Sequence, residues 1–161
     1  NHKGNKTELK GYNSDVIGFT QSIEPLLERY HKKALVLGTG GASKAIIFSL
    51  KSLGIETLTV SRFERHGCVR YEDITPEMIK EYNVIVNCTP CGMYPQTDDC
   101  PNLPYEAMDS HTLLYDLIYN PDETLFLKKG KAQGATVKNG LEMLLLQAFA
   151  SWNFWNSDAD K

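Results

Sequence analysis

Hydrophobic positions along the chain follow two periods in turn, one suited to strands and one to helices. Ala34-Leu35-Val36-Leu37 is an unbroken apolar run, the pattern of a strand covered on both faces. From Ala42 to Leu53, the residues Ala45, Ile46, Leu50 and Leu53 recur at helical spacing, and Gly54 stands where such a helix stops. Positions 57–60 predict a β-branched strand ending at Ser61-Arg62, and 69–71 a small one after it. Thr75-Pro76 reads as the N-cap and first residue of a short helix to Tyr82. Positions 84–86, 113–115 and 136–137 predict three further strands, with a helix over 123–133 that Gly134 ends. Gly140 opens an apolar helix to about Trp155, and the prolines Pro90, Pro95, Pro101 and Pro104 mark a loop. Near the start, Ser14 reads as the N-cap of a helix that carries Ile17, Ile23, Leu26 and Leu27 on one face and ends near Tyr30-His31. This alternation predicts an α/β fold with a parallel sheet.

Composition narrows the partners. A length of 161 residues suits one domain with a sizeable core. The net charge of −3 gives no electrostatic reason to expect nucleic acid or an anionic membrane. No apolar stretch approaches the roughly 20 residues of a membrane span. Four cysteines in a chain this long do not suggest a disulfide scaffold. Cys88-Thr89-Pro90-Cys91 has the spacing of a redox pair or half a zinc site, but no second pair accompanies it. Two small residues in a tight turn after a strand fit the context better, and no metal is expected. The chain opens at Asn1-His2-Lys3 without Met and stays polar to Lys10, which reads as a piece that starts inside a larger protein. Nothing in it points outside the cytosol, where thiol-bearing proteins of this kind usually sit, so a cytoplasmic protein is expected.

The strongest local signal is the strand, turn and helix around Gly38-Thr39-Gly40-Gly41-Ala42. Gly38 permits a tight turn, Gly40 removes the Cβ that would hold the backbone away from a pyrophosphate, and Ser43 is the third small residue. The helix behind aims free N–H groups and partial positive charge at the phosphates. An NAD site usually places an acid about 20 residues further on, for the ribose 2′-hydroxyl. Here the second strand runs instead into Ser61-Arg62-Phe63-Glu64-Arg65. A guanidinium matches a 2′-phosphate, so NADP is expected over NAD, a solvated surface arginine being the alternative. Glu64 could accept from a 2′-hydroxyl but lies further into the loop.

With these residues in hand, the chain resembles the cofactor domain of shikimate dehydrogenase. Gly11-Tyr12-Asn13-Ser14-Asp15 is similar to the family's G-x-N-T-D, and Gly38 to Ala42 to its G-A-G-G-A turn. Asn87-Cys88-Thr89-Pro90-Cys91-Gly92-Met93 resembles N-x-T-x-x-G-M, and Tyr115-Asp116-Leu117-Ile118-Tyr119-Asn120-Pro121 resembles Y-D-x-x-Y-x-P. Gly140-Leu141-Glu142-Met143-Leu144-Leu145-Leu146-Gln147 is similar to G-x-x-M-L-x-x-Q. The order of these motifs is the family's own.

The resemblance implies a Rossmann-like, doubly wound, mostly parallel sheet of about six strands with helices on both faces. It implies reversible, NADPH-linked reduction of 3-dehydroshikimate to shikimate, on the way to chorismate and aromatic amino acids. NADP(H) contacts are then expected from Gly38, Thr39, Gly40, Gly41 and Ala42, and from Ser61, Arg62 and Arg65. Thr89, Leu117 and Gly140 would meet the nicotinamide half. Asp15 matches the acid of the family's catalytic Lys–Asp pair and, with Tyr119 and Gln147, its substrate contacts. The family's lysine lies in an N-terminal substrate domain, and none of Lys3, Lys6 or Lys10 stands in its context. The chain alone is therefore expected to bind NADP(H) with negligible turnover. One NADP-binding domain is expected over 1–161: a hinge segment and connecting helix over about 1–31, a nucleotide core over about 32–138, and a helix over about 139–161 returning toward the absent domain. Met143, Phe149 and Trp152 would be core or hinge packing, with an apolar patch left exposed. The rivals are a quinate/shikimate dehydrogenase using NAD or NADP, and a dinucleotide-binding module without chemistry.

Overall fold

The computed structural model describes the backbone over 2–159 and the side chains over 13–152. In chain order the elements are α1 (His2–Ile23), β1 (Lys33–Leu37), α2 (Gly41–Ser52), β2 (Glu56–Ser61), β3 (Cys68–Arg70) and α3 (Pro76–Glu81). They continue with β4 (Val84–Asn87), β5 (Leu113–Asp116), α4 (Leu125–Ala132), β6 (Thr136–Lys138) and α5 (Leu141–Ala159). The strands form one sheet in the order β3-β2-β1-β4-β5-β6, and every neighbouring pair is parallel. This is the Rossmann-like doubly wound fold, and its strand order reverses between β1 and β4.

Each central strand is buried on both faces, so its alternate residues enter two different cores. Leu35, Leu37, Ile85 and Leu114 pack with Ile79, Tyr105, Phe126 and Leu127 on the side of α3 and α4. Ala34, Val36, Val84, Val86, Leu113 and Tyr115 pack with Phe19, Ile23, Ile46, Leu50 and Met143 on the side of α1, α2 and α5. Gly18 lets α1 and α5 cross at close range, because a Cβ there would lie 2.7 Å from the carbonyl oxygen of Met143. Next to it the Phe19 ring meets Tyr115 edge-on at 4.8 Å, and the Tyr115 hydroxyl lies 2.5 Å from Ser22 Oγ.

The strands lie within a residue or two of their expected positions, while the first helix does not. α1 runs through Ser14, which is therefore no N-cap, and ends at Ile23 rather than near Tyr30. Pro25 has no N–H to continue the ladder, and the chain passes into a 3-10 turn over Glu24–Leu26. Ile17, expected inside, is 42% exposed, and Phe19 and Ile23 take the core positions. Thr75 caps α3 as expected, accepting from Met78 N at 3.2 Å. α4 starts two residues later than expected, where Thr124 Oγ1 accepts from Leu127 N.

His31 latches the α1–β1 connection to the loop before β5. Its Nδ1 accepts from Glu28 N at 2.9 Å, so Nε2 carries the proton and donates to His111 O at 2.9 Å. Burial holds its pKa below the ordinary 6.5, against smaller opposing effects of that carbonyl and Glu28. A base with a lowered folded pKa stabilises the fold above its unfolded pKa, and that contribution is lost as pH falls below 6.5. The stability advantage of wild type over His31→Gln, read by urea unfolding, is therefore expected to shrink between pH 7.5 and 5. An advantage that stays constant would show that the latch does not titrate.

No described helix is long and apolar enough to cross a membrane, and the described residues hold no cluster of His, Cys, Asp or Glu suited to a metal ion. The four cysteines are free.

Candidate dinucleotide site

The turn after β1 is built by glycines with distinct duties. Gly38 has φ +109°, and a Cβ on it would lie 2.9 Å from Thr89 Cγ2. Its N–H donates to Val60 O at 2.9 Å, tying the turn to β2. Gly40 is the extended N-cap of α2 and offers no side chain to cap it. A Cβ on Gly40 or Gly41 would meet nothing within 4 Å, so the space in front of these two residues is open. Ser43 is buried, and its Oγ donates to Gly40 O at 2.6 Å, which lets α2 sit close to the sheet as the small third residue predicts. No acid stands in the first turn of α2 to neutralise its positive end.

The segment after β2 carries two guanidinium groups that take different places. Ser61 is buried, and its Oγ accepts from Phe63 N at 3.2 Å, bending the chain away from the sheet. Arg62 is exposed, with its guanidinium carbon 5.4 Å from the Phe63 ring centre. Its charge opposes the rise that burial imposes on the Tyr71 and Cys91 pKa values. Arg65 turns back, and its Nη1 donates to Thr39 Oγ1 at 3.2 Å. Of the two, Arg65 is the one that touches the glycine turn.

Beyond the turn, the ends of β4 and β5 enclose a cavity of about 510 Å³. Cys88, Thr89, Pro90, Met93 and Tyr94 line it from the β4 side, and Leu117, Ile118, Tyr119 and Asn120 from the β5 side. Tyr94 N donates to Asn120 O at 3.1 Å, fastening the two loops together. The C-x-x-C segment is a hydrogen-bonded turn, in which Cys91 N donates to Thr89 Oγ1 at 3.2 Å and Met93 N to Pro90 O at 3.0 Å. Burial pushes the Cys88 and Cys91 thiols above the ordinary range, whereas a redox-active thiol is held low.

Under the cavity lies Asp116, with no exposed surface at all. Its Oδ1 accepts from Asn87 Nδ2 at 3.1 Å and Ile118 N at 3.1 Å, and its Oδ2 from Thr124 Oγ1 at 2.7 Å. Burial raises its pKa to about 6, and these donors restrain the rise. Asn87 passes the contact on, for its Oδ1 accepts from Thr89 N at 3.1 Å and Thr89 Oγ1 at 2.6 Å.

The start of α5 packs against the chain leaving β5. A Cβ on Gly140 would lie 1.9 Å from Leu117 O and 2.5 Å from its carbonyl carbon, so only glycine fits there. Gly140 N donates to Ile118 O at 3.1 Å. Further along α5, Gln147 Nε2 donates to Asp15 Oδ1 on α1 at 2.5 Å. Burial raises the Asp15 pKa, and among the described residues no cation pairs with it. Met143 is buried, but Phe149 and Trp152, expected to pack, are each 62% exposed, beside exposed Leu141, Leu144 and Leu145.

The structure thus gathers the residues singled out from sequence into three places. Gly38 to Ala42 meet Arg65 at the turn; Thr89, Leu117 and Tyr119 share the cavity, with Gly140 packed on Leu117; Asp15 and Gln147 form a pair between α1 and α5. Gly38 against Thr89 joins the first place to the second. Sequence reasoning missed Asp116 and Asn87 as a linked pair, and Met93 and Tyr94 as cavity wall. The signal for the pair was an acid closing an otherwise apolar strand; Tyr94 gave none.

A six-stranded parallel sheet with a glycine turn at its switch point places the chain in the class of Rossmann-like α/β proteins. Within that class it is homologous to the shikimate dehydrogenases. It is 36% identical over 166 residues to the "Shikimate dehydrogenase (NADP(+))" of Caldanaerobacter subterraneus subsp. tengcongensis, covering 93% of this chain and 59% of that protein. The crystal structure of shikimate dehydrogenase from Aquifex aeolicus matches with a TM-score of 0.76 and 33% identity over 89% of this chain and 56% of the other. The Thermus thermophilus enzyme, solved with NADP(H) and shikimate, matches with a TM-score of 0.75 and 29% identity over 89% of this chain and 56% of that one. No family model matches. The chain spans about three fifths of the length of the curated relatives it matches.

Proposed function

We propose that this chain is the NADP(H)-binding part of a shikimate dehydrogenase, and that the whole protein interconverts 3-dehydroshikimate and shikimate. The observation that carries the reading is the open face of Gly40 and Gly41. It lies at the positive end of a 12-residue helix with Arg65 at its rim. The fit to a dinucleotide phosphate follows from that geometry: the bare turn admits the diphosphate, and Arg62 and Arg65 bring the charge a 2′-phosphate needs. The names of the curated relatives and the ligands of the Thermus thermophilus structure support the same choice.

Three segments divide the work in this reading: a hinge and connecting helix over about 1–31, the nucleotide core over about 32–138, and a returning helix over about 139–161. When bound, the dinucleotide supplies or takes up a hydride at its nicotinamide. Thr89 and Leu117 would hold that end in the cavity, and Gly140 keeps the wall behind Leu117 close. Tyr119 offers a phenol to the substrate from the cavity rim. Asp15, oriented by Gln147, waits for an ammonium from the rest of the enzyme. Such a partner would hold its carboxyl ionised against the desolvation that now raises its pKa.

Calorimetric titration of the 161-residue chain tests this directly. NADPH is expected to bind at least about tenfold more tightly than NADH, the scale of one or two charged hydrogen bonds to a phosphate. Replacing both Arg62 and Arg65 by alanine is expected to erase that preference, leaving NADH binding little changed. Equal binding of the two cofactors by wild type would overturn the assignment of NADP. Shikimate oxidation by this chain alone is expected to stay at background.

A further inference from the structure

We propose that Asp116 is a positioning residue: through Asn87 and Ile118 it sets both walls of the cavity so that they receive the nicotinamide end of the dinucleotide. This rests on the reading of the site just given. A carboxylate with no exposed surface is costly, and an apolar residue would be the ordinary choice at the end of so buried a strand. Asp116 instead gathers one donor from each neighbouring piece: the Asn87 amide of β4, the Ile118 N–H of the β5 loop and the Thr124 hydroxyl that caps α4. The register of the sheet sets Asn87 directly beside Asp116.

The chemistry of the pair then decides how Thr89 meets a ligand. An ionised carboxylate only accepts, so Asn87 must turn its NH₂ toward Asp116 and its Oδ1 away. That oxygen accepts from Thr89 N and from Thr89 Oγ1. The Thr89 proton is thereby committed, and one lone pair is taken by Cys91 N. Thr89 faces the cavity as an acceptor in a single rotamer. On the other wall, holding Ile118 N fixes the backbone between Leu117 and Tyr119, both of which line the cavity. Two of the three donors to Asp116 thus lead to the two walls of the cavity, and the third, Thr124 Oγ1, holds the cap of α4.

The test compares two ligands on the same 161-residue chain. NADPH carries a nicotinamide, whereas 2′,5′-ADP reaches only the turn and the arginines. In Asp116→Ala, NADPH affinity is expected to fall about tenfold or more, while 2′,5′-ADP affinity stays within about twofold. Asp116→Asn keeps an acceptor for Asn87 and Ile118 and is expected to restore NADPH binding to within about threefold of wild type. A merely structural role would weaken both ligands together, and that result, or an unchanged ratio of the two affinities, overturns the proposal. If Asp116→Ala does not fold, Asn87→Ala is read by the same criterion, since it cuts the link between Asp116 and Thr89 while leaving the Thr89 side chain in place; an unchanged ratio there also overturns it. A wild-type chain that binds neither ligand would remove the dinucleotide reading itself, whereas wild-type binding with an unmoved ratio removes only the role of Asp116.

Discussion

Gly140→Ala is expected to destabilise the protein by about 3 kcal/mol, the upper end of what overpacking costs, and to abolish tight NADPH binding. The new methyl carbon would sit 1.9 Å from Leu117 O, 2.5 Å from its carbonyl carbon and 3.1 Å from its Cα. All three atoms are backbone, so no side chain can rotate out of the way. The exit of β5 and the entry of α5 must part, and the hydrogen bond from Gly140 N to Ile118 O at 3.1 Å is strained with them. At about 2–4 °C per kcal/mol for a chain of this size, the melting point should drop by roughly 10 °C. Gly41→Ala is the matched control, because a Cβ there meets nothing within 4 Å and alanine suits the first turn of a helix. A Gly140→Ala protein melting within about 2 °C of wild type would mean the two backbones are not held as closely as they stand.

What could be read before folding was what depends on neighbours in sequence. The runs of β1, β4 and β5 announce themselves because a strand buried on both faces has no polar alternate residue. The glycine turn is legible for a similar reason, since positive φ at Gly38 and an empty side at Gly40 are properties of single positions. α1 departs from its local pattern because its inward residues are chosen by a distant partner. Gly18 looks like a helix breaker and proves to be the point where α5 crosses, and Pro25 ends the helix before the apolar Leu26 and Leu27 can join it.

The site splits along the same line. Arg65 and Thr39 are 26 positions apart, and Asn87 and Asp116 are 29 apart; only the strand order and register bring them together. Phe149 and Trp152 carry an apolar signal that pattern alone assigns to packing. On α5 as it stands they remain at the surface, because helical position decides burial and Met143 takes the inward place.

The same turn supplies a substitution whose two effects have opposite signs. Gly40→Asp should leave stability unchanged or raise it by about 0.5 kcal/mol, while cutting NADPH affinity more than about 100-fold, or roughly 2.7 kcal/mol. Gly40 has φ −75° and ψ −175°, an extended conformation any residue adopts, and it holds the N-cap of α2 without a side chain to fill that role. Aspartate is among the best N-caps, and its charge suits the positive end of the helix. Those same amides are what a diphosphate would use. The carboxylate would take them, occupy the open space before Gly40 and repel the phosphates by like charge. Gly40→Asn separates the two causes, since it fills the space without the charge and should lose less affinity. If thermal melts show Gly40→Asp intact and calorimetry shows NADPH bound as in wild type, the diphosphate does not lie on this turn. Should the melting point fall instead, the N-terminus of α2 is already satisfied by groups other than a ligand.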